Sequence, residues 1–466
     1  MARNCRYSCE TAVQTLEWIN AIIAFLRPHR FLCDAHVVNF FKDRLWESVD
    51  EQWMECLRVE PVENLLKIPS GMVQDYWPSS LKEFILVLRS LVLPQEQTAL
   101  QMVCEMFPNL HVASLSSVLT QGMNLKKKHE VEILAAIVNS TARKVGGQTI
   151  IDVGAGQGYL AQVLSFQYHL SVVAIDASSH LGEVTSARAE RIKKHYLSKM
   201  RKARTFLECR EVKAVVSIGC CYNLLSEEGS ENTGPQCGFP MSESAKLAGF
   251  SFGKNARDLA CQSAERWRNL TRDAALQNFD LHAFRAVFQM VLCRYYPEVW
   301  KASPSIGRKG KALRRQQQRR VLESNLRLEE YGQSCSTSDI DSLSPKISSS
   351  NNMGEGSQSY TVDKCSLFEN FCKSGLCRLG LVPSQEIDFL GVWKEAQHFS
   401  ELVGPYWSLR AALGPLLETL ILLDRLLFLQ EQGNMVEATV VPIFDPRLSP
   451  RNVAIIAWKK DPDFIL

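Results

Sequence analysis

Three glycines, Gly154, Gly156 and Gly158, follow an acid in the run Ile151-Asp152-Val153-Gly154-Ala155-Gly156-Gln157-Gly158-Tyr159-Leu160, and the next acid downstream is Asp176. Glycines at this density let the chain turn sharply off a strand and bring bare backbone against a ligand. A helix opening at Tyr159 aims its first N–H groups at the same place. A dinucleotide fingerprint needs G-x-G-x-x-G so that a pyrophosphate can sit on the turn. Here the third glycine comes one residue early, and Tyr159 stands where it would be. Asp152 would oppose a pyrophosphate but suits the ammonium of a methionine moiety. Asp176 ends the next apolar run, where an acid can accept both hydroxyls of a ribose, and Ala177 and Ser178 would line an adenine. Methionine ammonium at Asp152, backbone at Gly154, Ala155, Gly156, Gly158 and Tyr159, ribose at Asp176 and adenine at Ala177 read together as a pocket for S-adenosylmethionine.

A second set of residues could face an acceptor. Cys220-Cys221-Tyr222-Asn223 leaves a third apolar run at what would be the carboxyl edge of a sheet, where open α/β folds bind ligands. Methyl transfer needs an acceptor in line with the sulfonium and a route for its proton. Tyr222 could stack on a base or hydrogen-bond the acceptor, Asn223 could orient an amide or ring nitrogen, and Cys221 is the third candidate. Neighbours on a strand point to opposite faces, so Cys220 and Cys221 cannot both face the site if the strand continues through them. The plainer reading is a packed strand end, since free cysteine is commonly buried. The group Lys126 to Glu130 could reach a cofactor carboxylate or a phosphate, or could simply be a solvated helix start.

The elements that would position these residues follow from periodicity. Gln148–Val153 and Leu170–Ile175 are β-rich, with a helical stretch Tyr159–Phe166 between them. Strand, glycine turn, helix, strand is one βαβ unit, which demands a parallel pair and a right-handed crossover. Glu183–Arg204 predicts a long basic helix and Val212–Gly219 a third strand, and Asp258–Tyr296 is helical again. Ala438–Phe444 and Val453–Trp458 predict two closing strands around the turn DPRLSPRN, expected to end the same sheet. Leu413–Leu429 is the most apolar stretch, but Glu418, Asp424 and Arg425 make it a buried helix rather than a membrane span. Glu10 to about Ser114 reads as helices whose aromatic residues Trp18, Phe40, Phe41, Trp46 and Trp53 belong to a core. Ala302–Asp363 is rich in Ser, Gln, Asn and Gly, with a basic run from Arg308 to Arg320, and reads as a disordered insertion. That basic run could attract RNA or direct nuclear targeting, although a solvated tract accounts for it as well.

The expected organisation is therefore a helical domain at 1–120, the first part of an α/β methyltransferase domain at 121–301, the insertion at 302–363, and the rest of that domain, with its hairpin, at 364–466. Composition fits: 46% hydrophobic and 22% charged residues build an ordinary core. A net charge of +3 excludes a wholly basic nucleic-acid coat, so any RNA contact must be local. The 15 cysteines are scattered and odd in number, and Glu17 and Asn20 interrupt the first apolar run. We read reduced thiols in a cytoplasmic or nuclear compartment. Cys5/Cys9 and Cys372/Cys377 are too isolated to be metal ligands, so no metal is expected.

Several strings, GMNLKKKHEV, IDVGAGQGYL, VSIGCCYNLLS, LLETLILLDRLLFLQEQG and PIFDPRLSPRN, resemble the methyltransferase-like protein 25 family, including its 25B branch described as ribosomal RNA adenine dimethylase domain-containing. The resemblance implies a class I, Rossmann-like S-adenosylmethionine-dependent methyltransferase. The Cys-Cys-Tyr segment also resembles the Cys-Cys-His-His segment of tRNA 2′-O-methyltransferases, which points to RNA as acceptor, with protein the other class. The family carries a further strand with a His-Ala/Thr-Cys-Gly-Asp-Leu string before the GCCY strand. Only Thr205 to Ala214 stands there in this chain, whereas a crossover alone needs roughly ten to twelve residues. The chain thus resembles a shortened form, and two functions follow: a methyltransferase impaired by the loss, or a catalytically silent binding or scaffold protein with the same fold.

Overall fold

The computed structural model describes residues 7–94, 99–196, 211–227, 238–301, 364–382 and 386–460. The expected insertion Ala302–Asp363, with its basic run, lies outside the described residues, as does the end of the Glu183–Arg204 helix beyond Tyr196. Two compact units emerge: Met1–His36, Ser48–Ala275 and Gly404–Leu466 form the first, Val37–Glu47 and Leu276–Val403 the second.

The βαβ unit is present in the first. Strands β1 (Thr149–Val153) and β2 (Ser171–Ile175) pair in parallel, Thr149 opposite Ser171 through Val153 opposite Ile175, and the connecting helix is Tyr159–Phe166. Strand β3 (Ala214–Ile218) follows, and the chain closes with β4 (Val436–Pro442) and β5 (Val453–Lys459). These last three form an antiparallel sheet in the order β3-β5-β4. Central β5 is buried at every residue from Val453 to Trp458.

The single sheet expected from the sequence is therefore not what forms. The closing hairpin pairs with the GCCY strand, and neither joins the β1–β2 ladder. Among the described residues β1 has one ladder neighbour, and so has β3. The physical signature is exposure: Ile151 and Val153 on β1 are 44% and 78% exposed, Ile175 on β2 50%, and Val215 on β3 47%. Parallel strands in α/β folds are ordinarily covered on both faces.

What holds the two ladders is the Leu125–Lys144 helix. Residues four apart share a helix face, and Ile133 and Ile137 join one core cluster with Val441, Ile443, Ala454, Ile456 and Trp458. Val131 and Ala135 join another with Val163, Leu164, Phe166 and, from the strands, Ile150 and Val172. N-terminal helices build into the same unit: Val103 and Phe107 complete the first cluster. The Trp18 indole donates to the Leu91 carbonyl at 2.9 Å, and Leu93 N–H to Thr419 Oγ1 at 3.1 Å.

The apolar stretch lies in the helix Val403–Gln430. Leu416, Leu417, Leu420, Leu423 and Leu426 are all 1% exposed or less, and no helix among the described residues is long and apolar enough to cross a membrane. The stretch Asp258–Tyr296, expected to be helical, is built of the helices Gly253–Ala260, Ala264–Arg268 and Arg272–Tyr295. Thr271 Oγ1 accepts from Ala274 N–H and starts the third. In the second unit, Phe284, Phe368 and Trp393 pack ring on ring, with centroids 5.2–5.8 Å apart, and Trp46 stacks on Phe399 at 4.7 Å.

Candidate cofactor and acceptor sites

The glycine loop is tied down by backbone bonds to the end of β2. Gly154 and Ala155 both donate to the Ile175 carbonyl, at 2.8 and 3.0 Å, and Gly156 N–H donates to Asp176 Oδ2 at 2.8 Å. This path needs φ of +77° at Gly154 and +58° at Gly156, a region that side chains disfavour. A Cβ built on either glycine meets nothing within 4 Å, so the loop presents bare backbone to open space.

The two acids that flank that loop have pKa values shifted in opposite directions. The Asp176 carboxyl accepts Ser178 N–H at 2.9 Å as well as Gly156 N–H, and these two donors hold it below the ordinary carboxylate range. Asp152 is raised instead: burial is the main cause, the neighbouring Asp176 charge adds to it, and the Ala161 N–H works against it. Its Oδ2 is buried without a hydrogen-bond partner. Ala177 and Ser178 are exposed beside Asp176. Tyr159 is already engaged, its hydroxyl donating to the Gly122 carbonyl at 2.9 Å and its ring lying 4.6 Å from the Arg188 guanidinium.

Arg188 is the residue that type and spacing did not single out. It is 8% exposed, and it donates to Gln162 Oε1 and to the Gln121 and Leu119 carbonyls rather than to a carboxylate. Gln162 Nε2 in turn donates to the Thr185 carbonyl at 3.2 Å, and Thr185 Oγ1 to the Gly156 carbonyl at 3.1 Å. The chain from Arg188 to Gly156 fixes the loop from behind. In sequence Arg188 is one basic residue among many in a charged helix, and only burial distinguishes it.

The acceptor candidates sit at the end of β3, in the other sheet. Tyr222 is 2% exposed, and its hydroxyl donates to Glu418 Oε1 at 3.0 Å. Glu418 also pairs with Arg451 at 2.8 Å, and the Arg451 and Arg425 guanidiniums lie 5.3 and 5.8 Å from the Tyr222 ring. Burial, then the Glu418 charge, pushes the Tyr222 phenol far up. A ring so enclosed cannot stack on a base, and that expected role for Tyr222 is corrected to one of holding the turn. Asn223 and Cys221 are exposed. Strand alternation does not separate the cysteines, because β3 ends at Ile218: the Sγ atoms of Cys220 and Cys221 are 3.3 Å apart. Cys261, a residue missed in the sequence, places its Sγ 3.6 Å from Asn223 Oδ1.

Lys126 and Lys127 face Glu130, at 3.6 and 2.9 Å. Glu130 also accepts from Ser449 Oγ at 2.7 Å, and His129 Nε2 accepts Asp445 N–H at 3.0 Å. Burial works against ionising Glu130, but the hydrogen bonds from Lys127 and Ser449 outweigh it and lower its pKa. This helix start thus docks on the DPRLSPRN turn, bringing together two strings that are more than 300 residues apart.

Residues 126–206 match a family model described as a methyltransferase domain. The chain is similar to the protein named "Probable methyltransferase-like protein 25" of Homo sapiens, with 21% identity over 658 aligned positions that take in 99% of this chain and 100% of that protein. It is 32% identical over 270 residues to the Mus musculus protein of the same name, covering 56% of this chain and 35% of that one. No solved structure matches. An alignment of 658 positions is longer than the 466 residues of this chain, so the human relative has residues opposite gaps here.

Proposed function

We propose that this homologue of methyltransferase-like protein 25 is an S-adenosylmethionine-dependent methyltransferase whose acceptor is RNA. It would hold the cofactor at Asp152, Gly154, Ala155, Gly156, Gly158, Tyr159, Asp176 and Ala177. The observation that carries the reading is the pair of unlike carboxyls around a bare loop. Asp152 keeps a buried oxygen without a partner, Asp176 is ionised beside it, and open space lies over Gly154 and Gly156. A cation and a diol fit this arrangement; a pyrophosphate would meet two acids.

When bound, the cofactor supplies an electrophilic methyl group on its sulfonium. This chain's residues bind and orient. Asp152 would neutralise the ammonium, which reverses the desolvation that raises its own pKa. Asp176, already ionised, would accept the ribose hydroxyls. Arg188, through Gln162 and Thr185, keeps the Gly156 peptide in place. Asn223 and Cys221 are exposed groups of the GCCYN turn available to an acceptor, and Tyr222 would act as a positioning residue beneath them. Support for RNA is the resemblance of the Cys-Cys-Tyr segment to the Cys-Cys-His-His segment of tRNA 2′-O-methyltransferases.

The split sheet favours a second reading, a protein that keeps the fold and the cofactor but transfers no methyl group. Purified chain incubated with radiolabelled S-adenosylmethionine and fractionated RNA and protein from cell extract separates the outcomes. Label in RNA supports the proposal, and label in protein moves the acceptor to the other class. Calorimetric binding without transfer leaves the silent form. Binding of NAD in place of S-adenosylmethionine would overturn both readings.

A further inference from the structure

The turn after β3 carries a second chemistry besides the acceptor role proposed for it. Cys220 and Cys221 are both exposed, and their Sγ atoms already lie 3.3 Å apart, against about 2.05 Å in a disulfide. Cys261 is a third thiol beside the turn, its Sγ hydrogen-bonded to Asn223 Oδ1 and to the Cys220 carbonyl, 3.6 and 4.0 Å away. Cys33 and Cys372 are buried.

We propose that Cys220 and Cys221 form a vicinal dithiol that a peroxide closes to a reversible disulfide, a redox modification site beside the GCCYN turn. One thiol gives up its proton and attacks a peroxide oxygen as the thiolate; the O–O bond breaks, a sulfenic acid forms, and the departing hydroxide takes up that proton as water. The second thiol, deprotonated in turn, attacks that sulfur; the S–S bond forms, the S–O bond breaks, and the departing hydroxide takes up the second thiol's proton as a second water. Two thiols and one peroxide thus give one disulfide and two waters. Adjacent residues hold their Cα atoms about 3.8 Å apart, closer than the roughly 4.4–6.8 Å of relaxed disulfides. The bond would therefore be strained and easily reduced, which is the property of regulatory rather than structural bridges. A reducing compartment suits such a transient bond.

Closure would be felt at the candidate acceptor turn. Gly219, next to the pair, lies so close beneath Tyr222 that a Cβ there would sit 2.5 Å from the phenol oxygen, and Asn223 follows two residues after Cys221. A ring formed across the Cys220–Cys221 peptide would redirect the backbone between these two contacts.

The test treats the full chain with stoichiometric hydrogen peroxide, blocks remaining thiols with N-ethylmaleimide, and reads the peptide containing Cys220 and Cys221 by mass spectrometry. The expected result is an unalkylated peptide lighter by two hydrogens, restored to double alkylation by dithiothreitol. Cys261→Ser should leave that product in place and Cys221→Ser should abolish it. A cross-link from Cys220 to Cys261, or full alkylation of both cysteines while other thiols oxidise, would overturn the proposal. Should Cys221→Ser fold poorly, the wild-type peptide mass and the Cys261→Ser control still decide between these outcomes.

Discussion

The Tyr222 hydroxyl donates to Glu418 at 3.0 Å across 196 residues of sequence, joining the end of the GCCY strand to the most apolar helix of the chain. A carboxylate at 4% exposure inside that helix is tolerable because Tyr222 and Arg451 both serve it. Removing one partner of a buried pair should cost about 3–5 kcal/mol, so Arg451→Met is expected to be strongly destabilising. Tyr222→Phe, which removes a single hydrogen bond to a charged group, should cost about 1.5–3 kcal/mol. Urea denaturation of the two single variants and the double variant checks this. Additive losses would show that the three groups do not act as a network.

Asp152 links stability to binding. Its carboxyl is raised in the folded chain, so the folded state holds the proton more tightly than the unfolded one. Its contribution to stability is present below the unfolded pKa and is lost as pH rises towards the folded pKa. At neutral pH, Asp152→Asn should therefore raise the melting temperature of the ligand-free protein. The same change should weaken S-adenosylmethionine binding by about ten- to a hundredfold, the equivalent of about 1.5–3 kcal/mol for a charged hydrogen bond. Calorimetry and thermal melts on one preparation measure both effects, and a variant that melts lower and binds equally well would contradict them.

Asp176 behaves in the opposite sense. Backbone donors lower its pKa, so it stays ionised at neutral pH and down into the usual carboxylate range. Cofactor affinity should show no inflection from Asp176 between neutral pH and that range, and Asp176→Ala should reduce affinity at every pH in the window. Equal affinity of Asp176→Ala and wild type by isothermal titration would rule this residue out of the site.

Arg188 is expected to matter without touching a ligand. Arg188→Met leaves the Leu119 and Gln121 carbonyls and Gln162 short of a donor, at about 1–3 kcal/mol for each group left unsatisfied. Cofactor affinity should fall along with stability, because Gln162 and Thr185 no longer hold the Gly156 peptide. A stability loss with unchanged affinity would reduce Arg188 to a packing role.

The single ladder partner of β1 gives the last expectation. β1 has one ladder partner among the described residues while β5 has two, so β1 amides should exchange with deuterium far faster than those of β5. Restoring a family-type segment after Arg204 should protect β1, raise the melting temperature and increase methyl transfer in the same extract assay. Equal activity of the short and restored chains would show that the short form is complete.

The sequence by itself determined the local pieces. Glycine spacing located the turn off β1, apolar periodicity located the βαβ unit, and Asp152 and Asp176 stand where their spacing put them, on either side of the loop. These features are legible because positive φ, helix period and strand alternation are properties of short windows of chain. Tertiary structure alone decided which strands pair, since a ladder depends on what lies beside a strand rather than within it. Only the fold showed β3 pairing with β5 and Val153 left open. Burial was the other hidden quantity. It made Arg188 an anchor, took Tyr222 out of reach of a base, and gave Glu418 its partners, because each of those environments is assembled from segments far apart in sequence.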